Sequence, residues 1–266
     1  MTEANLLLGF CLAGSISFGA WRFRALDRSG AIAALLMGTI VFGFGGLAPS
    51  VALITFFLTG SIFSALPGGI RMPTGDETSG RSWKQVTANG LIPVLAILTS
   101  WTIPAIAHPA TIIALGGIAA GTADSWATEL GTRYGGPARD ILTHRPSPPG
   151  ASGGISVRGI GASLIGAFVI AFVGLFSVGH AQAWDILAVT VGGFLGAVGD
   201  SIIGSLIQAR YLCPVCNSSV ETPIHCTSHT LLVAGNTFVT NNVVNFAATT
   251  IGAIFSIVIL DFGQLI

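Results

Sequence analysis

Three acidic side chains stand where acids are costly. Asp124, Glu129 and Asp200 fall inside long apolar runs. An ionisable residue in such a run is a functional hypothesis by default. Polar groups accompany them. Thr122, Ser125 and Glu129 recur at i, i+3, i+7, on one face of a helix. Arg81, Gln85 and Asn89 follow i, i+4, i+8, with Lys84 among them; Asn241, Asn242 and Asn245 open the last apolar run, and Gln208 closes the one before it. Taken singly, the amides read as helix caps or interhelical hydrogen bonds. Asp124-Ser125 and Asp200-Ser201 are matching pairs, and a desolvated carboxylate needs a partner. A Mg²⁺ ion held by Asp124 and Asp200 would supply it, because Mg²⁺ takes one or two carboxylates, keeps waters and binds substrate phosphate oxygens. Arginine and lysine nearby would complete a phosphate clamp.

Two connecting segments carry further chemistry. Residues 148–156 hold Ser152, Gly153, Gly154 and Ser156, with Thr143, Arg145 and Arg158 close in sequence. A Gly-rich turn feeding a helix N-terminus aims backbone N–H groups at an anion. The other reading is a plain turn. No Gly-Lys-Ser/Thr Walker sequence is present. The segment 210–234 carries Cys213 and Cys216, then His225, Cys226 and His229. That spacing resembles a small structural zinc knuckle in which His225 and His229 compete for the fourth position; unligated thiols are the alternative. Cys11, in the first apolar run, reads as a small apolar residue.

The elements that must position these groups follow from composition. The chain has 266 residues, 52% hydrophobic and only 8% charged, with a mean hydropathy of +0.79. A soluble domain carries about 25% charged residues. A cytosolic enzyme, a disordered chain and a nucleic-acid binder with a basic face are excluded. The expectation is an all-α integral membrane protein, a single polytopic domain over 1–266. A membrane helix needs roughly 20 apolar residues, and runs at 5–21, 30–46, 49–66, 86–106, 109–130, 160–178, 184–209 and 237–260 predict about eight spans. The first three are short or Gly-interrupted, so seven remains an alternative.

All 11 Lys and Arg fall in the connections after spans 1, 3, 5 and 7: Arg22, Arg24 and Arg28; Arg71, Arg81 and Lys84; Arg133, Arg139, Arg145 and Arg158; and Arg210. The positive-inside rule places these loops in the cytoplasm and both termini outside. The expected location is the plasma membrane of a bacterium or archaeon, with the site at its cytoplasmic face. Residues 116–125 and 192–201 align without a gap at an offset of 76, and each copy is followed by Arg-Tyr, at 133–134 and 210–211. Spans 5–6 and 7–8 therefore read as a parallel repeat, or as chance similarity between Gly/Ala-rich helices.

Five stretches carry a family resemblance: 80–90 (with Arg81, Lys84, Gln85 and Asn89), 121–131 (with Thr122, Asp124, Ser125 and Glu129), 153–156, 199–208 (with Asp200, Ser201 and Gln208) and 242–246 (with Asn242 and Asn245). Through them the chain resembles the transmembrane protein 19 family, which includes the plant phytyl-phosphate kinase. The Cys-rich insert is similar to that of bacterial and archaeal members. The resemblance implies a phosphoryl transferase that uses a nucleoside triphosphate, CTP or similar, to turn a prenyl monophosphate such as phytyl or geranylgeranyl phosphate into the diphosphate. It implies that Asp124, Glu129 and Asp200 are acidic active-site residues and that Arg81, Lys84, Gln85, Asn89, Asn242 and Asn245 line the same pocket. The basic turn departs from the family pattern: Thr143-His144-Arg145 and 150–154 replace Thr-Thr-Gly-Lys and Gly-Thr-Asn-Gly-Gly. A transporter or flippase for a lipid-linked phosphate is the competing reading, and a non-catalytic scaffold the third.

Overall fold

A computed structural model describes residues 3–68, 80–179 and 182–264; Arg71 lies outside them. Eight α-helices account for most of these residues: α1 (Glu3–Arg22), α2 (Arg28–Phe44), α3 (Leu47–Ala65), α4 (Trp83–Thr102), α5 (Ala107–Tyr134), α6 (Val157–Phe176), α7 (Ala183–Ile207) and α8 (Asn241–Gln264). Among the described residues six helical segments are long and apolar enough to cross a membrane, those of α1, α3, α5, α6, α7 and α8. α2 is apolar but has 17 residues. α4 has the length, but Lys84, Gln85 and Asn89 dilute its apolarity and Pro93 interrupts its interior.

Local chemistry sets the helix ends. Asp27 caps α2, its carboxylate accepting from Gly30 N and from Ser29 Oγ, both at 2.7 Å. Gln85 reaches back to accept from Ser82 N at 3.2 Å and so closes the first turn of α4. Ser156 caps α6 through Gly159 N. The run expected to end at 106 stops at Thr102, where Pro104 opens a separate 3₁₀ turn, Pro104–Ile106. The last helix starts at Asn241 rather than at 237, because Thr237 and Phe238 form a turn between β-structure and the helix.

α5 is the centre of the bundle and packs against α3, α4, α6, α7 and α8. Its Ile112, Leu115 and Ile118 belong to a core shared with Ile170 of α6, Val189 of α7 and Leu260 of α8. Small residues permit the close approach that such packing needs. Gly116 and Gly192, which occupy the same place in the two similar segments, both press on Ser256 of α8: a Cβ on either would meet its Oγ at 2.3 and 2.1 Å.

The all-α expectation requires a correction in the connections after α5 and α7. The first forms a sheet of β1 (Ala138–Asp140), β2 (Pro146–Ser147) and β3 (Gly154–Ile155). The second forms a sheet of β4 (Arg210–Leu212), β5 (Ser219–Val220) and β8 (Leu231–Ala234), with a hairpin of β6 (Ile224–His225) and β7 (Ser228–His229) inserted. Both sheets are antiparallel, in the orders β2-β1-β3 and β5-β4-β8. In each, the strand leaving the helix is central and the strand leading to the next helix lies at an edge. Strands of two to four residues leave almost no periodicity for a sequence to display.

Candidate functional site

The polar residues converge on one cavity of about 800 Å³. α5 supplies Asp124, Ser125, Thr128 and Glu129, and α7 supplies Asp200 and Ser201. Arg81 comes from the connection just before α4, Gln85 and Asn89 from the start of α4, and Asn241 and Asn245 from the start of α8. The connection after α1 contributes Arg24, that after α5 contributes residues 149–156, and that after α7 contributes Glu221. The connections after α1, α3, α5 and α7 therefore meet at one end of the bundle. Away from this polar end the cavity continues between apolar side chains of α1 to α4, among them Ile16, Met37, Val41, Phe57 and Val94.

Asp124 and Asp200 face this space together and lie within electrostatic reach of one another; Glu221 is also within electrostatic reach of Asp200. Six buried side-chain polar atoms find no hydrogen-bond partner among the described residues, and three of them, Asp200 Oδ2, Ser61 Oγ and Ser163 Oγ, belong to residues that line this cavity. Buried polar atoms are normally satisfied. Their concentration here fits a site built for a polar ligand or a hydrated cation. Among the described residues four carboxylates, one of them paired with Arg133, and the guanidinium groups of Arg24 and Arg81 line the polar end; a divalent cation would let a phosphate settle beside these carboxylates.

Glu129 has a different environment. It is buried, accepts from Ser64 Oγ at 2.8 Å and pairs with Arg133 Nη1 at 3.2 Å. Arg133 also donates to the carbonyls of Leu66 and of Pro67 (2.9 Å), so it ties α5 to the end of α3.

The Gly-rich segment lies flat against α7. Gly153 has φ +81° and its backbone touches that helix: a Cβ there would sit 2.5 Å from Ser205 Cβ. Only glycine fits both the left-handed backbone and the contact. Asp140 fixes the segment from the other side. Its Oδ2 accepts from Ser205 Oγ at 2.6 Å, and its Oδ1 accepts from the N–H groups of Leu142 and Thr143 and from Thr143 Oγ1. The Ser205 bond, followed by that from Thr143 N, holds this carboxyl down at about 2.

Several residues expected at the site are placed elsewhere. Thr122 is fully buried in α5 and donates to Ile118 O of its own helix. Lys84 is exposed on α4 and does not line the cavity. Thr143 and Arg145 form the turn between β1 and β2, held there by Asp140. Gln208 is buried beneath the cavity wall and donates to Glu221 Oε2 at 2.8 Å. Asn242 lies beside the lining residues Asn241 and Asn245 without lining the cavity itself. Residues that the sequence did not single out are present: Arg24, Ser61, Ser64 and Glu221. Only the basic-loop pattern pointed to Arg24, and no signal marked the others.

The segment 210–234 folds around a second cluster. One ligand atom each of Cys213, Cys216, His225 and Cys226 lie within 4.8 Å of one another. His229, the competitor for the fourth position, is not in this group.

A bundle of apolar helices around an acidic and amide-lined cavity defines a polytopic membrane protein with a polar site at one end. The chain belongs to the integral membrane protein family DUF92, whose sequence profile it matches over residues 11–253. An uncharacterized membrane protein of Methanocaldococcus jannaschii is 35% identical over 191 residues, covering 70% of this chain and 76% of that one. Protein PGR of Arabidopsis thaliana is 29% identical over 272 residues, covering 92% of this chain and 93% of its own. No solved structure matches.

Proposed function

We propose that the protein is a prenyl-monophosphate kinase, transferring a phosphoryl group from a nucleoside triphosphate such as CTP to a membrane-embedded prenyl phosphate. One observation carries the reading: a single cavity joins Asp124, Asp200 and two guanidinium groups to an apolar arm among α1 to α4. That shape suits a lipid whose only polar end is a phosphate, and its volume is within the roughly 300–1,000 Å³ of small-molecule sites.

The residues then divide the work. Asp124 and Asp200 would hold Mg²⁺, which when bound neutralises and orients the phosphates of both substrates; the unpartnered Asp200 Oδ2 supports that assignment. Arg81 and Arg24 lie where they can balance charge on the transferred group. Lys84 and Arg145 have no such position and drop out of the clamp. An oxygen of the prenyl phosphate forms the new bond to the γ-phosphorus as the bond to the β–γ bridging oxygen breaks. The attacking oxygen is already ionised, so no side chain has to remove a proton. Asn89, Asn241 and Asn245 are placed to bind phosphate or base, and the apolar arm keeps the chain of the substrate out of water.

In the membrane, we place all eight helices as spans, with both termini outside and the cavity at the cytoplasmic face, because every basic residue falls in the connections after α1, α3, α5 and α7 or in the helix turns that flank them. We read α5–α6 and α7–α8 as copies of one unit. The shared strand order of their sheets and the matched contacts of Gly116 and Gly192 support this.

The test uses detergent-purified protein, Mg²⁺, CTP or ATP, and phytyl or geranylgeranyl phosphate. Diphosphate should form, and Asp124→Asn and Asp200→Asn should each lower turnover at least 100-fold. Tight binding of the lipid phosphate without turnover under any nucleotide would overturn the kinase and favour a transporter.

A further inference from the structure

We infer that Cys213, Cys216, Cys226 and His225 bind one Zn²⁺, and that this metal sets the position of Glu221 in the wall of the cavity. The metal site stands on its own geometry, and the consequence for Glu221 rests on the phosphoryl-transfer reading above.

The donor set is three sulfurs and one imidazole, the Cys₃His composition of closed structural zinc sites. In a tetrahedron with Zn–S near 2.3 Å and Zn–N near 2.0 Å, sulfur and nitrogen lie about 3.5 Å apart. His225 Nδ1 is 3.5 Å from Cys216 Sγ and 3.3 Å from Cys226 Sγ. The folding of the segment also calls for a metal. Its sheet buries a cluster of only Ala209, Tyr211 and Val220, and a module with so small a core needs a staple. Asn217, Cys226 and Thr227 hold left-handed backbone, at φ 55°, 49° and 58°. They sit in the two turns that present the ligands, where a bound metal would offset the strain.

The topology explains what the staple does. Cys213 follows β4 directly and Cys216 lies just ahead of β5, so this pair forms the turn of the β4–β5 hairpin. His225 and Cys226 belong to the β6–β7 hairpin. A metal joining the two turns closes the chain between Cys216 and His225 into a ring with Glu221 near its middle. Thr222 next to it is buried and accepts from Thr230 Oγ1 at 2.7 Å through its carbonyl. Glu221 is thereby delivered to the cavity, accepting from Ser152 Oγ of the Gly-rich segment and from Gln208 Nε2 at 2.8 Å. It stands beside Asp200 as a third carboxylate and links the sheet after α7 to the segment after α5.

The experiment uses the full-length chain in detergent and three measurements. Elemental analysis should find one zinc per chain, lost in Cys213→Ser and retained in His229→Ala. It should also be retained in His225→Cys, which rebuilds a four-sulfur site and guards against a variant that merely unfolds. Hydrogen exchange of the amides at 219–222 should rise at least tenfold when zinc is stripped by a chelator. Mn²⁺, used in place of Mg²⁺ and followed by its electron paramagnetic signal, should bind at least fivefold more weakly after stripping and in Glu221→Gln, with no further loss when both are combined. Absence of zinc, or its retention in Cys213→Ser, overturns the metal site. Unchanged exchange and Mn²⁺ affinity after stripping overturn the positioning. If the native chain binds zinc, and exchange responds, yet Mn²⁺ never binds, the phosphoryl-transfer reading fails while the zinc site stands.

Discussion

Glu129 and Arg133 offer the sharpest separation of structure from chemistry. Arg133 Nη1 lies 3.2 Å from Glu129 Oε2, and the two side chains are 4% and 5% exposed. At an effective dielectric near 20, charges at that distance attract by roughly 5 kcal/mol. Removing one member of a buried pair costs about 3–5 kcal/mol. Arg133→Ala deletes the ion pair together with the bonds that tie α5 to Leu66 and Pro67, and should cost that amount. At about 2–4 °C per kcal/mol for a chain of this size, the loss in Tm is on the order of 10 °C. Glu129→Gln should cost only about 1–2 kcal/mol. The amide still accepts from Ser64, and the guanidinium keeps the carbonyls of Leu66, Pro67 and Glu129. Thermal unfolding in detergent reads the stabilities, and diphosphate formation reads the function, which Glu129→Gln should retain and Asp124→Asn should not. The reasoning fails if Arg133→Ala lies within about 1 kcal/mol of the native chain, or if Glu129→Gln is as inactive as Asp124→Asn.

Two further outcomes follow from the Gly-rich segment. Gly153→Ala meets Ser205 at 2.5 Å on a left-handed backbone, whereas Gly136→Ala, at φ +73° with nothing within 4 Å, carries the backbone strain alone. Unfolding should show a loss of about 1–2 kcal/mol for Gly136→Ala and a larger one for Gly153→Ala, with at least a tenfold fall in turnover for the latter only. Asp140, held at about 2 against an ordinary 3.8, gives stability that is present above the ordinary value and is lost as pH falls through the lower one. Unfolding followed from pH 6 down to pH 3 should lose stability at the acid end in the native chain, with a smaller slope in Asp140→Asn.

The spacing of residues foretold much of the site, because a helix converts spacing into direction. Gln85 and Asn89 share a face of α4 and line the cavity with Arg81, which precedes the helix, while Lys84, one residue before Gln85 and about 100° around the helix, is turned away. Asp124 and Asp200 were recognisable because nothing else accounts for charge in such apolar runs. Glu221 was not. It lies outside every apolar run, in a polar segment where carboxylates are ordinary, and only the β4–β5 hairpin carries it to Asp200.

From sequence alone came the membrane class, the eight apolar runs, the polarity of the connections and the acidic pairs, all set by composition and by local periodicity. Tertiary structure decided which groups share a cavity, why Thr122 faces the core, and that His225 rather than His229 joins the three cysteines. Those outcomes depend on how α5 is surrounded and how short strands pair across long separations. Such contacts bring together residues whose neighbours in the chain carry no trace of the meeting.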